Sequence, residues 1–132
     1  MLWHLLVFEI KEKIMWNEEL KSYIKTLIRL MDEEPNLPVI PIVDCDVVAD
    51  NNAPYYRGKF GGVHLEECAI MYNQVYTDRE QFMEEYYKYY SDVIDEKCND
   101  FSSKKAYLEK CADKNFKKAI LVYIDYIDYL SL

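Results

Sequence analysis

The residues with the most chemistry in this chain are four cysteines and one histidine: Cys45, His64, Cys68, Cys98 and Cys111. Thiolates and imidazole are zinc ligands, and three or four of them gathered by tertiary structure would make a tetrahedral site. His64 and Cys68 flank Glu66 at alternate positions, which would put all three on one face of a strand. Successive cysteines are 23, 30 and 13 residues apart, a spacing that matches no standard zinc module, and no CxxC pair occurs. Free cysteine is also among the most buried residue types. The competing reading is therefore packed thiols, with Cys45 between Val43 and Val47 on an apolar face and Cys111 three residues after Leu108.

A second set is acidic. Asp44 and Asp46 on one strand face, with Glu66 across the sheet, would have the separated pKa values that acid–base catalysis uses. No partnered nucleophile, HExxH pair or phosphate loop accompanies them. RGKFGG, residues 57–62, has glycines and a lysine but lacks the GxxxxGK[ST] spacing. His4 sits in an apolar leader and reads as packed. The expectation is a protein without enzymatic activity, needing no cofactor unless the cysteines hold a structural zinc.

The third set is FMEEYYKYYSD, residues 82–92, with four tyrosines. At roughly 100° per residue, Phe82, Tyr86, Tyr89, Tyr90 and Val93 fall within about 100° of arc, the width of a core-facing stripe. Met83, Tyr87 and Ile94 form a shoulder beside it. Glu84, Glu85, Lys88, Asp92 and Asp95 occupy the opposite face. The shoulder is a candidate partner contact, with Tyr87 as its aromatic anchor, because aromatics are enriched at interface centres.

Charge points the same way. The net charge is −8, and residues 32–100 hold 16 acids against 5 bases. An acidic middle cannot neutralise phosphates, so direct nucleic-acid binding is disfavoured, while a basic protein partner would be steered towards it. The lysine-rich segment SSKKAYLEKCADKNFK, residues 102–117, reads as a solvated helix face whose lysines pair with those acids.

The elements that must position these residues can be read from periodicity. Asn17 is placed as an N-cap ahead of Glu18 and Glu19, with Leu20, Ile24, Leu27, Ile28 and Met31 at helical spacing and EEPNLP as the stop. VIPIVDCDVVAD reads as a strand in which Pro41 is confined to an edge position or to the first part of the strand, and NNAP as a loop. Gly58, Gly61 and Gly62 suggest a turn or bulge, and Asn73 a second turn, giving a meander of two or three strands. Thr77 to Glu80 is a capping box opening the tyrosine helix. Ser103 caps a shorter helix through Cys111, with Asp113 to Asn115 too polar to extend it. AILVYIDYI closes as an apolar, central strand. The fold class is α+β, a single domain of residues 1–132 with 1–14 as an N-terminal extension. Its helices gather on a small, mainly antiparallel sheet of three to four strands, in the order α-β-β-β-α-α-β. The opening apolar run is about seven residues, against roughly 20 for a membrane span. It also lacks signal-peptide features, so a cytoplasmic protein is expected.

LPVIPIVDCDVVADNN, YYRGKFGG and KKAILVYIDY together resemble small phage- and prophage-encoded proteins of Firmicutes, over residues 37 to 125. Those proteins include anti-CRISPR inhibitors of the type II-A class. The resemblance implies an inhibitor of a host Cas nuclease, Cas9, acting in the bacterial cytoplasm. Joined to the acidic middle, it predicts a partner surface of Asp44, Asp46, Glu66, Glu84, Glu85, Tyr87, Asp92 and Asp95 that blocks nucleic-acid loading. Two alternatives stand beside it. One is a nucleotide-binding or sponge protein using Arg57 and Lys59. The other is a structural or interaction protein of a mobile element.

Overall fold

The computed structural model describes residues 2–48 and 54–127, so the turn expected at NNAP falls largely outside the described residues, as does the side chain of His4. Helix α1 spans Leu2–Glu33. Asn17 therefore lies inside the helix and is not its cap. The Leu-, Glu- and Lys-rich leader favours helix, and an interior asparagine costs at most about 0.7 kcal/mol relative to alanine. Pro35 disfavours helix at the residue before it, and Glu34 N closes the last turn on Leu30 O at 2.8 Å.

The remaining elements are β1 (Val39–Val43), a 3₁₀ turn (Cys45–Val48), β2 (Lys59–Met71), β3 (Gln74–Tyr76), α2 (Arg79–Lys97), α3 (Phe101–Asn115) and β4 (Lys117–Asp125). The class is α+β and the order is the one expected. The four strands are arranged β1-β4-β2-β3. Strand β1 pairs with β4 in parallel and β2 with β3 antiparallel, so the sheet is mixed. Apolar β4 is central as its composition required, and β1 with its proline is at the edge.

Several boundaries differ from the periodicity, each for a local reason. Strand β1 stops at Val43 because Asp44 turns the chain, its carboxylate accepting from Asp46 N at 2.9 Å. The alternation of Val43, Cys45 and Val47 is thereby broken, and Cys45 is exposed. Gly61 and Gly62 lie within one long β2 and make no turn. The caps of α2 and α3 are Asp78 and Asp100, not Thr77 and Ser103. A carboxylate attracts the helix N-terminus more strongly than a hydroxyl does. Helix α3 continues to Asn115, whose side chain donates to Cys111 O at 2.7 Å.

The chain divides into two compact units, residues 1–65 with 120–132 and residues 66–119. In the first, Leu30, Val63, Ile120 and Val122 form the core, with Tyr23, Leu27, Leu37 and Ile124 against it. Here β2 runs so close to the end of β4 that a Cβ on Gly61 would strike the Asp125 carboxylate. In the second, Ala69, Met71, Tyr76, Phe82, Met83 and Ala112 form the core. The ring of Phe82 is at its centre, 5.8 Å from Tyr76, 5.7 Å from Tyr86 and 5.5 Å from Phe116.

Candidate protein-binding surface

Helices α2 and α3 form an antiparallel hairpin joined by the three residues Cys98 to Asp100. Each begins on a carboxylate. Asp78 Oδ1 accepts from Glu80 N at 2.9 Å, and Asp100 Oδ1 from Ser103 N at 2.7 Å. The Ser103 amide holds the Asp100 carboxyl below its ordinary range. Opposite charges clip the hairpin at both ends. Arg79 at the start of α2 reaches Asp113 near the end of α3 at 2.7 Å. Asp95 near the end of α2 meets Lys104 at the start of α3 at 2.9 Å. Tyr87 donates its hydroxyl to the same Asp95 oxygen at 2.9 Å. Hydrogen bonds from Lys104 and then Tyr87 hold the Asp95 carboxyl low, and Asp95 in turn pushes the Lys104 ammonium up. The expected pairing of lysines with the acidic middle takes this form.

Packing against α3 also decides which tyrosines are core. Met83 is 7% and Ile94 0% exposed, whereas Tyr89 is 50% and Val93 46% exposed. The buried stripe is thus rotated towards the shoulder by about half the width of the expected arc. The projection assumed one neighbour, a sheet. The second neighbour, α3, packs Met83 into one core with Ala112, and Ile94 is fully buried, so both are packing residues and not a free contact. Tyr86 and Tyr90 stack at 4.6 Å within the unit, and Tyr89 lies over Tyr72 at 4.7 Å.

Tyr87 lies at a groove between the helices. Glu80, Met83, Glu84 and Tyr87 of α2 face Phe101, Lys104, Lys105 and Leu108 of α3 around a space of about 540 Å³. Its floor is apolar, one wall carries two glutamates and the other two lysines. Phe101 stands at the rim, 81% exposed. Of the groove residues, the sequence points to Met83, Glu84 and Tyr87 as partner contacts. Glu80, Phe101, Lys104, Lys105 and Leu108 were missed, although 80/83/84/87 and 101/104/105/108 share one helical spacing and carry opposite charges, which was a readable signal.

The other expected acids are dispersed. Glu85 is half-buried and pairs with Lys88 at 3.2 Å within α2, and Asp92 is exposed. Asp44 is exposed just before the 3₁₀ turn of the first unit and Asp46 is exposed within it, and Glu66 is half-buried in β2. Asp44 and Asp46 therefore do not share a strand face.

The five candidate metal ligands are not brought together. Cys45 and His64 belong to the first unit and Cys68, Cys98 and Cys111 to the second. His64 packs edge-on to Tyr123 at 5.5 Å. Cys68 and Cys98 are buried. Burial, with the Glu66 charge, pushes the Cys68 thiol up and keeps it protonated, the form that binds metal poorly. Among the described residues one group has ligand atoms close enough for an ion, the exposed Asp44, Cys45 and Asp46, within 4.8 Å of one another. Cys45 is the one member of the expected set in it.

Arg57 and Lys59 line a smaller pocket of about 170 Å³ with Asn17, Glu19, Leu20, Tyr23 and Phe60. Lys59 is paired there with Glu19 at 3.6 Å. No helix among the described residues is long and apolar enough to cross a membrane. The chain matches no protein-family model, and no characterised protein or solved structure matches it.

Proposed function

We propose that the protein is a non-enzymatic binding protein that presents the outer face of α2 and the adjoining groove to a basic surface of another protein. The observation that carries this reading is the groove itself: an open, apolar-floored cleft with exposed Phe101 and half-buried Tyr87 beside Glu80 and Glu84. Such an arrangement suits an anchor-and-rim interface, with rings supplying affinity and acids supplying steering. Asp95 is committed to Lys104 and Tyr87, so its role is to hold the hairpin in shape. The identity of the partner as the nucleic-acid channel of a host Cas9 rests on the resemblance in sequence alone.

The test has two arms. Cas9 cleavage of target DNA is measured with the protein in excess, and loss of cleavage is expected. The combined reversal Glu84→Lys, Glu85→Lys and Asp92→Lys should then weaken binding at least about tenfold, and added salt should weaken the native complex. Unaffected cleavage removes the nuclease as partner. Unchanged affinity of the reversed protein for a partner recovered from host lysate removes the surface.

A second reading has its own observation, since Arg57 and Lys59 do line one pocket. That pocket is smaller than the roughly 300–1,000 Å³ of most ligand sites, and Glu19 already neutralises Lys59. Thermal-shift measurements with nucleotides test it, because a bound ligand raises the melting temperature.

A further inference from the structure

Helix α1 carries more apolar surface than its own unit covers. Tyr23, Leu27 and Leu30 pack into the first core. Beside them Trp3, Leu6, Ile10, Ile24, Ile28 and Met31 are left between 42% and 71% exposed. At 100° per residue these six and Asn17 fall within about 80° of arc, along a helix of 32 residues, roughly 48 Å long. Trp3, Ile10, Asn17, Ile24 and Met31 recur every seven residues, the period at which one helix winds against another. On these observations the face is suited to a helix.

Its symmetry says which helix. The set reads the same in both directions about Asn17. Ile10 and Ile24 stand seven residues to either side, Leu6 and Ile28 eleven, Trp3 and Met31 fourteen. A face with that pattern is complementary to itself under a twofold axis, as an isologous contact requires. Asn17, exposed at the centre, would meet its own copy, and a carboxamide both donates and accepts, so the pair satisfies itself. Lys13 and Lys21, four residues to either side of Asn17, fall at the two edges of the same arc, so the polar centre that sets register spans three positions and keeps the twofold pattern. The exposed fractions amount to on the order of 600 Å² of apolar surface per chain, near the roughly 800 Å² per partner of a standard stable interface.

We propose that two copies of this chain pair antiparallel through α1, about a twofold axis at Asn17. The face uses residues of α1 and none of the acids of α2, so the two proposals are tested by different substitutions and stand or fall independently. Light scattering on the full chain at micromolar concentration should give twice the mass of one chain. Replacing Ile24→Lys and Ile28→Lys together leaves Tyr23, Leu27 and Leu30 untouched. It should give a monomer with an unchanged circular-dichroism spectrum. In a Cys45→Ser background, Asn17→Cys should form an oxidised dimer. Ile10→Cys alone should not, its copies lying about 21 Å apart along the axis. Ile10→Cys combined with Ile24→Cys should cross-link again. A native monomer, a dimer that survives the double lysine variant, or cross-linking by Ile10→Cys alone would each overturn the proposal.

Discussion

Asp95 and Lys104 meet at 2.9 Å across the turn of the α2–α3 hairpin, and Tyr87 donates to the same carboxylate oxygen. The lysine also lies 5.9 Å from the Tyr87 ring centroid. One contact thus joins the acidic helix to the basic one and fixes the aromatic side chain at the groove. An acid that charge counting assigns to a partner is used inside the molecule.

This pair gives stability a defined pH dependence. The Asp95 carboxyl titrates below its ordinary 3.8 in the folded protein. Its contribution is therefore full above about pH 5 and is lost as pH falls through the folded value. Lys104 titrates above its ordinary 10.5, so its contribution persists to about pH 10 and fades beyond. Both groups are solvent-exposed, which keeps the effect small and salt-sensitive. Melting curves of native protein and Asp95→Asn should differ most between pH 5 and 10 (a window of about five units set by those two directions). The difference should close below about pH 3 and shrink in molar salt. A constant difference down to pH 2 (about two units below the ordinary carboxylate range) would mean that Asp95 acts through packing alone.

The β2–β3 hairpin supplies a second measurement. Met71 pairs with Gln74, leaving Tyr72 and Asn73 as a two-residue loop with φ of 50° and 67°. That left-handed conformation is easy for asparagine and costly for other side chains. Asn73→Val should destabilise by about 1–2 kcal/mol, while Asn73→Gly should stay within a few tenths. Tyr72→Gly relieves the same backbone but removes the 2.8 Å hydroxyl contact with Tyr90 and the ring over Tyr89. It should therefore destabilise. Urea midpoints of the three variants check the ordering, and a stabilised Tyr72→Gly would show that the tyrosine contacts contribute nothing.

Much of this architecture was legible from residue pattern, because its signals are local. β-Branched runs, Pro41 and the apolar Lys117–Asp125 segment specify edge and centre without tertiary knowledge. Asn17 and Tyr89 depart from the pattern for separate reasons. Asn17 has the local marks of a cap, but the helix-favouring leader carries α1 through it, whereas Tyr89 is placed by a projection onto one neighbour and the second, α3, shifts the buried stripe of α2 away from it. The groove was half legible. Glu84 and Tyr87 stand out by charge and size, but Leu108 and Phe101 matter only because the hairpin turns α3 to face α2. The cysteines show the converse. Composition suggests a ligand set, and topology sends its members to different units.

The tyrosines allow one more test, at alkaline pH. Burial, followed by a hydrogen bond with Cys111, pushes Tyr86 up to about 12. Tyr76 is raised chiefly by burial and Tyr90 chiefly by its hydrogen bond with Tyr72. A phenol whose folded value lies above its unfolded value of about 10 contributes stability that is complete below pH 10. For Tyr86 that contribution is lost as the pH rises towards about 12. The chain has 13 tyrosines, so phenolate absorbance in the folded protein should rise in two phases, a main one near the ordinary value and a delayed minority. In denaturant the phases should merge. Tyr86→Phe should remove part of the delayed phase and shift alkaline unfolding upward, since no buried phenol then has to ionise at that position. A single phase near pH 10 (about the unperturbed phenol value) in the folded protein would place Tyr86 in solvent and contradict its packing against Phe82 and Tyr90.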